Sequence, residues 1–232
     1  MITSPAAGVT EARSAREPLA LAVLISGRGS NMLALARACR EQRIQARINT
    51  VIADRDAAGL AAAASLGLAT AHVPCVGGDR AAFEAALGQT IDASGAQLVV
   101  LAGFMRILSA AFVQRYQGRM LNIHPSLLPA YKGLHTHRRV LEAGEAVHGV
   151  SVHFVTPELD GGPVIMQART AVRDGDTEAS LSARVQQLEH RIYPEVIGLI
   201  AAGWLRLAGN RLLLDGQPLS APIQAPSLED DT

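Results

Sequence analysis

Apolar positions along the chain fall into two different periods. Leu19–Ile25 (LALAVLI) is an unbroken apolar run that stops at Ser26-Gly27, the pattern of a buried strand feeding a turn. Residues 32–43 carry helix formers with Leu33, Ala36 and Ala38 on one side, which predicts a helix. The cycle then repeats. Strands over 48–53, 71–74 and 98–101 alternate with helices over 59–66 and 80–94, closed by Gly67 and Gly95. Such alternation predicts an α/β fold with a mostly parallel sheet. After residues 112–116 the texture changes. A strand over 120–124 runs into Pro125 and a loop over 126–132, and a helix follows over 136–143. Residues 149–155 and 164–170 alternate in strand fashion around Asp160-Gly161-Gly162-Pro163, which predicts antiparallel additions to the sheet in the C-terminal half. Residues 180–199 read as a long helix interrupted at Pro194.

Length and composition narrow the classes. The 232 residues fit one ordinary domain, read here as 19–215, between a disordered extension over 1–18 and a loose tail over 216–232. Twenty-one basic residues balance 21 acidic ones, so no broad electrostatic face for nucleic acid is expected. A bound phosphate must therefore be met by local groups. Cys39 and Cys75 lack CxxC spacing and read as two reduced thiols. The longest apolar runs, such as 98–105, fall well short of the ~20 residues of a membrane span. The first residues lack an apolar signal core, so the expected location is cytoplasmic.

Two stretches carry candidate chemistry. Ser26-Gly27-Arg28-Gly29-Ser30-Asn31 sits between the first strand and the first helix. Glycines let backbone N–H groups approach an anion, and the helix N-terminus adds partial positive charge. Ser30 and Asn31 supply side-chain donors or cap the helix. Met32 stands where a dinucleotide fingerprint has its third glycine, and no Gly-Lys-Ser/Thr follows, so neither that motif nor a P-loop is present. A plain strand-to-helix turn with a cap explains the stretch equally simply.

The second stretch is Asn122-Ile123-His124-Pro125-Ser126-Leu127-Leu128-Pro129. Positions i and i+2 of a strand share a face, so Asn122 and His124 point to one side at a strand end, where open α/β sheets bind ligands. Asp160 at the Gly-Gly turn is a third candidate. An amide that donates to a developing oxyanion, an imidazole that donates or relays a proton, and a carboxylate that charges and orients the ring make an acyl-transfer set. A core histidine and an ordinary turn aspartate are the plainer readings. Gly-x-Ser-x-Gly is absent, which leaves the substrate's own amine as nucleophile.

These stretches occur in a fixed order with Leu101-Ala102-Gly103-Phe104-Met105-Arg106-Ile107-Leu108, Gly133-Leu134-His135-Thr136-His137 and His148-Gly149-Val150-Ser151-Val152-His153-Phe154. Together, from about Leu21 to Trp204, they resemble the phosphoribosylglycinamide formyltransferase family of folate-dependent formyltransferases. The resemblance implies a Rossmann-like formyltransferase fold, 10-formyltetrahydrofolate as co-substrate and 5-phosphoribosylglycinamide as acceptor. It implies no metal, no nucleic acid, no membrane, and a monomer or homodimer. Asn122, His124 and Asp160 match the family's catalytic positions. Gly29, Ser30 and Asn31 match its phosphate loop, and Gln186 and Glu189 a helical contact to the ribonucleotide. Arg80, Met105, Arg106, Ile107, Leu108, Asn122, Thr156, Pro157, Glu158, Leu159 and Asp160 match positions lining the folate site. The N-terminal half would thus bind phosphate, and the C-terminal half would bind folate and carry the chemistry.

By themselves Arg80 and Glu189 also read as solvated helix residues. His135, His137, His148 and His153 lack zinc spacing and read as structural or orienting groups. Ser151 holds water or His124, or is a plain sheet residue. Rival readings remain. Methionyl-tRNA formyltransferase would need an added basic nucleic-acid-binding domain, and formyltetrahydrofolate deformylase usually has a regulatory domain. A nucleotide-binding module without chemistry would use Asp54 on a ribose.

Overall fold

The structure is a computed structural model that describes residues 17–226. Eleven strands and six α-helices follow one another as β1 (Leu19–Ile25), α1 (Ser30–Arg40), β2 (Ala46–Ala53), α2 (Ala58–Ser65), β3 (Thr70–His72), α3 (Arg80–Ala93), β4 (Leu98–Leu101), α4 (Ala110–Arg115), β5 (Met120–His124), α5 (Thr136–Glu142), β6 (Val147–Phe154), β7 (Val164–Ala171), α6 (Glu178–Ala201), β8 (Leu205–Ala208), β9 (Arg211–Leu214), β10 (Gln217–Pro218) and β11 (Ile223–Gln224).

Eight strands form one sheet in the order β11-β7-β6-β5-β4-β1-β2-β3. The pairs β1–β2, β2–β3, β1–β4 and β4–β5 are parallel, whereas β5–β6 and β6–β7 are antiparallel. The expected mostly parallel sheet with antiparallel additions is therefore present. β1 shows why its sequence is an unbroken apolar run. Leu21, Val23 and Ile25 join the cluster beneath α1, α2 and α6, while Ala22 and Leu24 join the one beneath α3 and α4. Both faces of the strand are covered, so neither needs a polar residue.

The strand order reverses direction at β1, whose neighbours are β2 on one side and β4 on the other. Loops leaving the carboxyl ends of β1 and β4 face each other across that switch point, the place where open α/β sheets form a crevice. Ser26 N–H donates to the Gly103 carbonyl at 3.1 Å, and Ala102 N–H to that of Leu24 at 2.8 Å. The two loops are thus stitched together directly.

Three features differ from the sequence expectation. α6 runs through Pro194 without a break. Proline in a helix interior costs about 3 kcal/mol, but α6 packs against α1, β6 and β7. Leu181, Val185, Leu188, Ile192, Val196 and Ile197 are all at 0% exposure. Each such burial stabilises by roughly 1.5–3 kcal/mol, so packing outweighs the missing hydrogen bond. α4, one turn and a half capped by Ser109, is too short to leave a periodic signal.

The third difference is the segment expected to be loose from residue 216. It is ordered as far as Pro226: β10 closes a three-stranded antiparallel sheet with β8 and β9, and β11 pairs with Met166 and Gln167 of β7. Strands of two residues cannot show alternation. Residues 1–16 and 227–232, which hold most of the expected extension and the end of the tail, lie outside the described residues. No described helix is long and apolar enough to cross a membrane.

Candidate active site

The anion end is built from backbone. Gly29 precedes α1 with φ +75°, a region costly for a residue with Cβ. A Cβ there would also lie 3.3 Å from Gly59 Cα, where the first turn of α2 leans on the loop and Gly59 N–H donates to the Gly27 carbonyl. The expected capping by Ser30 or Asn31 does not occur. Both belong to the first turn of α1, and their side chains turn toward α6 instead. Gln186 Nε2 donates to Ser30 Oγ at 3.1 Å, and Asn31 Nδ2 to Glu189 Oε2 at 2.7 Å. With no side-chain cap, the first-turn N–H groups of α1 face the loop mouth, an arrangement suited to an anion. Burial pushes the Glu189 carboxyl above its ordinary range, against the opposing hydrogen bond from Asn31. One turn further on, Tyr193 O–H donates to the carbonyls of Leu101 and Leu121, which locks α6 across the ends of β4 and β5.

The chemical end is built from side chains. In the β5–β6 register Asn122 faces His153 and His124 faces Ser151. His124 Nδ1 lies 3.5 Å from Asp160 Oδ2, and its Nε2–H donates to the Tyr131 carbonyl at 3.0 Å. Asp160 has a left-handed φ of +47°, in a turn that presses against β6. A Cβ on Gly162 would fall 1.8 Å from the Phe154 carbonyl oxygen, so only glycine permits this approach. Gly133 N–H donates to Asp160 Oδ2 at 2.9 Å. Asp160 Oδ1 stands 3.7 Å from His153 Nε2. The carboxylate therefore sits between two imidazoles, and the three predicted catalytic side chains converge.

His153 orients Asn122. Its Nδ1–H donates to the Phe154 carbonyl at 2.9 Å, which leaves Nε2 to accept from the Asn122 amide at 3.2 Å. Burial lowers the His153 pKa, opposed by the Phe154 carbonyl and Asp160 and aided by the charges of His124 and Lys132. A neutral ring suits that acceptor role, and it fixes which end of the amide is NH2. The orienting role expected of His153 thus has a geometry. Ser151 does not bond His124. Its hydroxyl donates to Ser126 O and accepts from Leu128 N–H and Gln167 Nε2, pinning the loop after β5.

The expected folate positions lie on the loop after β4 and on the loop after β6 that carries Asp160, with Arg80 at the start of α3. Met105 and Ile107 are 62% and 71% exposed, and Leu159 is 51% exposed on the facing loop. Leu108 and Thr156 are half-buried, while Pro157 and Glu158 are exposed. Apolar side chains beside loop backbone fit a flat heterocycle with a hydrogen-bonding edge. The Arg106 guanidinium, however, turns inward to Asp54 at 2.7 Å and lies 5.2 Å from the Phe83 ring centroid. Arg80 pairs with Glu84, which in turn accepts from Ser109 N–H and O–H at the other end of the loop. Asp54 is wholly enclosed by Arg55 and Arg106, so it is not free to hold a ribose as a dinucleotide-binding module would require. Sequence reasoning passed over Gly133 and Tyr131 as site residues, because groups that act through backbone leave no mark in residue type.

The chain is similar to known proteins in the same region. The formyl transferase family model matches residues 19–197. A phosphoribosylglycinamide formyltransferase of Escherichia coli is 52% identical over 201 residues, covering 86% of this chain and 95% of that protein. The chain belongs to the phosphoribosylglycinamide formyltransferase family. A solved phosphoribosylglycinamide formyltransferase from Coxiella burnetii, in complex with CHES, superposes with a TM-score of 0.86 at 49% identity, covering 90% of this chain and all of that one. The bovine trifunctional purine biosynthetic protein adenosine-3 is 45% identical over 192 residues, which are 82% of this chain and 19% of that protein. Family members thus include both a separate chain of this length and a segment of a larger polypeptide. Membership in this formyltransferase family accords with the uncapped helix and the Asn122, His124, Asp160 cluster occupying one end of one sheet.

Proposed function

We propose that this chain transfers the formyl group of 10-formyltetrahydrofolate to the amine of 5-phosphoribosylglycinamide, in de novo purine biosynthesis. The observation that carries the reading is the convergence of Asn122, His124 and Asp160 beside an uncapped helix N-terminus. Gly29, Ser30 and Asn31 take the ribonucleotide phosphate, with Gln186 and Glu189 toward its ribose. Met105 to Leu108 and the loop from Thr156 to Asp160 take the pterin, with Arg80 contributing from the start of α3.

The neutral amine attacks the formyl carbon. Asn122 and the His124 N–H donate to the developing oxyanion, the His124 bond to the Tyr131 carbonyl giving way to it. Asp160 orients the ring. The intermediate collapses as the bond from the formyl carbon to the folate nitrogen breaks, and the amine's proton passes to that nitrogen. Holding both substrates in line supplies much of the rate. No step calls for a metal. The reading is of a cytoplasmic enzyme acting on small molecules, as a monomer or homodimer.

Two acceptors compete with this reading: an aminoacyl-tRNA amine and water. Tetrahydrofolate release, followed spectroscopically with and without the ribonucleotide, distinguishes them. The reading expects release only when the ribonucleotide is present. Equal release in its absence would mean hydrolysis.

A further inference from the structure

The Asp54 carboxylate has 0% exposed side-chain surface, yet it belongs to neither candidate substrate subsite. It accepts from Arg106 Nε at 2.7 Å and from Arg55 Nη2 at 2.8 Å. The Ser26 hydroxyl also favours its charged form. Ser26 is the first residue of the phosphate loop, and its Oγ in turn accepts from Met105 N–H at 2.9 Å. One buried carboxylate thus holds Arg106 of the pterin-facing loop, and the Ser26 hydroxyl holds its neighbour Met105. The same hydroxyl begins the loop that leads to α1.

We propose that Asp54 is a positioning residue that sets the pterin-facing loop at Arg106, next to the Met105 backbone that Ser26 holds. Stability alone does not account for it. Burying an ion pair commonly gains nothing over an apolar pair of the same shape. What the pair supplies is direction. With its guanidinium held between Asp54 and the Phe83 ring, Arg106 cannot swing outward, and the flanking Met105 and Ile107 side chains are left exposed. Burial alone would raise the Asp54 carboxyl, but hydrogen bonds from Arg55, Ser26 and Arg106 outweigh it and keep the group below its ordinary range. The charge that fixes Arg106 is therefore present at neutral pH.

The inference rests on the folate-dependent reading above and concerns affinity for the folate rather than the chemical step. Asp54→Asn keeps the shape and removes the charge. Calorimetry with a non-reactive 10-formylfolate analogue, and separately with the ribonucleotide, reads the effect on each subsite. Hydrogen bonds to charged groups are strong enough to expect analogue affinity to fall about tenfold, with ribonucleotide affinity changed less than twofold. KM for the folate should rise by a similar factor while kcat stays within about threefold. Ser26→Ala, which releases only Met105, should act in the same direction and less strongly. Arg55→Ala removes a half-exposed partner outside the loop and should alter neither affinity.

A merely structural role would lower the melting temperature without separating the two ligands. Loss of analogue affinity below fivefold in Asp54→Asn, or an equal loss for both ligands, overturns the proposal. If Asp54→Asn does not fold, the same fivefold threshold is read from Arg106→Gln, the other half of the pair. If the unsubstituted protein does not bind the analogue, the folate reading itself fails; if it binds and Asp54→Asn binds equally, only this inference fails.

Discussion

The two ends of the crevice use the same sheet in opposite ways. At the phosphate end the parallel half offers backbone: a left-handed Gly29, a helix with no side-chain cap, and polar side chains already engaged with one another across α1 and α6. At the chemical end the antiparallel half offers side chains, with Asn122 and His124 on β5 braced by His153 on β6 and by Asp160 on a loop. The first arrangement depends mainly on chain geometry, with one side-chain pair, Asn31 and Glu189, beside it. The second depends on the identity of a few groups and on the turn that brings Asp160 to them. Met105, Ile107 and Leu159 expose apolar surface of the kind a bound ring would cover.

The contrast can be broken most forcefully at the chemical end. His124→Ala or Asp160→Ala is expected to lower kcat by about 100-fold or more, because each removes a group acting only as the oxyanion forms. The melting temperature should change little. Near-normal turnover in both would remove the catalytic assignment. Next in size is Gly162→Ala. The new Cβ would overlap the Phe154 carbonyl, so the turn must shift and carry Asp160 with it. A loss of kcat on the order of 30-fold is expected, since small misplacements of a reacting group are costly. Unchanged kinetics would mean that the turn does not position Asp160.

Glu189→Gln probes the phosphate end. It weakens the bond from Asn31 and should raise KM for the ribonucleotide about tenfold, with KM for the folate unaffected. A matching rise for both substrates would erase the division between the ends. The smallest effect concerns pH. Burial first, then the charges of His137 and His124, push His148 down to about 4. The unfolded chain takes up a proton near ~6.5. Between those values the unfolded state binds more protons, so stability falls as pH drops from about 6.5 toward 4 and levels off below. Thermal melts should show a decline of several degrees over that window, reduced in His148→Gln. An identical slope in the variant would place the sensitivity elsewhere.

Periodicity reached most of the fold. The run at Leu19–Ile25 and the alternation over 149–155 are strong because each strand lies in a uniform environment, covered on both faces or paired on both edges. The i, i+2 spacing of Asn122 and His124 translated directly into a shared face. Pro194 misled because its local cost is visible in the sequence while the packing along α6 that offsets it is not. β10 and β11 are too short to show a pattern. Gly133 and the Tyr131 carbonyl act through backbone, so no side-chain type announces them. Asp54 drew notice only as a possible ribose ligand, because a partner 52 positions away, Arg106, is invisible to spacing.

The most direct test of the separation between the ends is equilibrium binding of 5-phosphoribosylglycinamide to the doubly substituted His124→Ala/Asp160→Ala protein. The account predicts affinity within about twofold of the unsubstituted chain while turnover is lost. A fall in affinity that parallels the fall in turnover would contradict it, because anchoring and chemistry would then depend on the same groups.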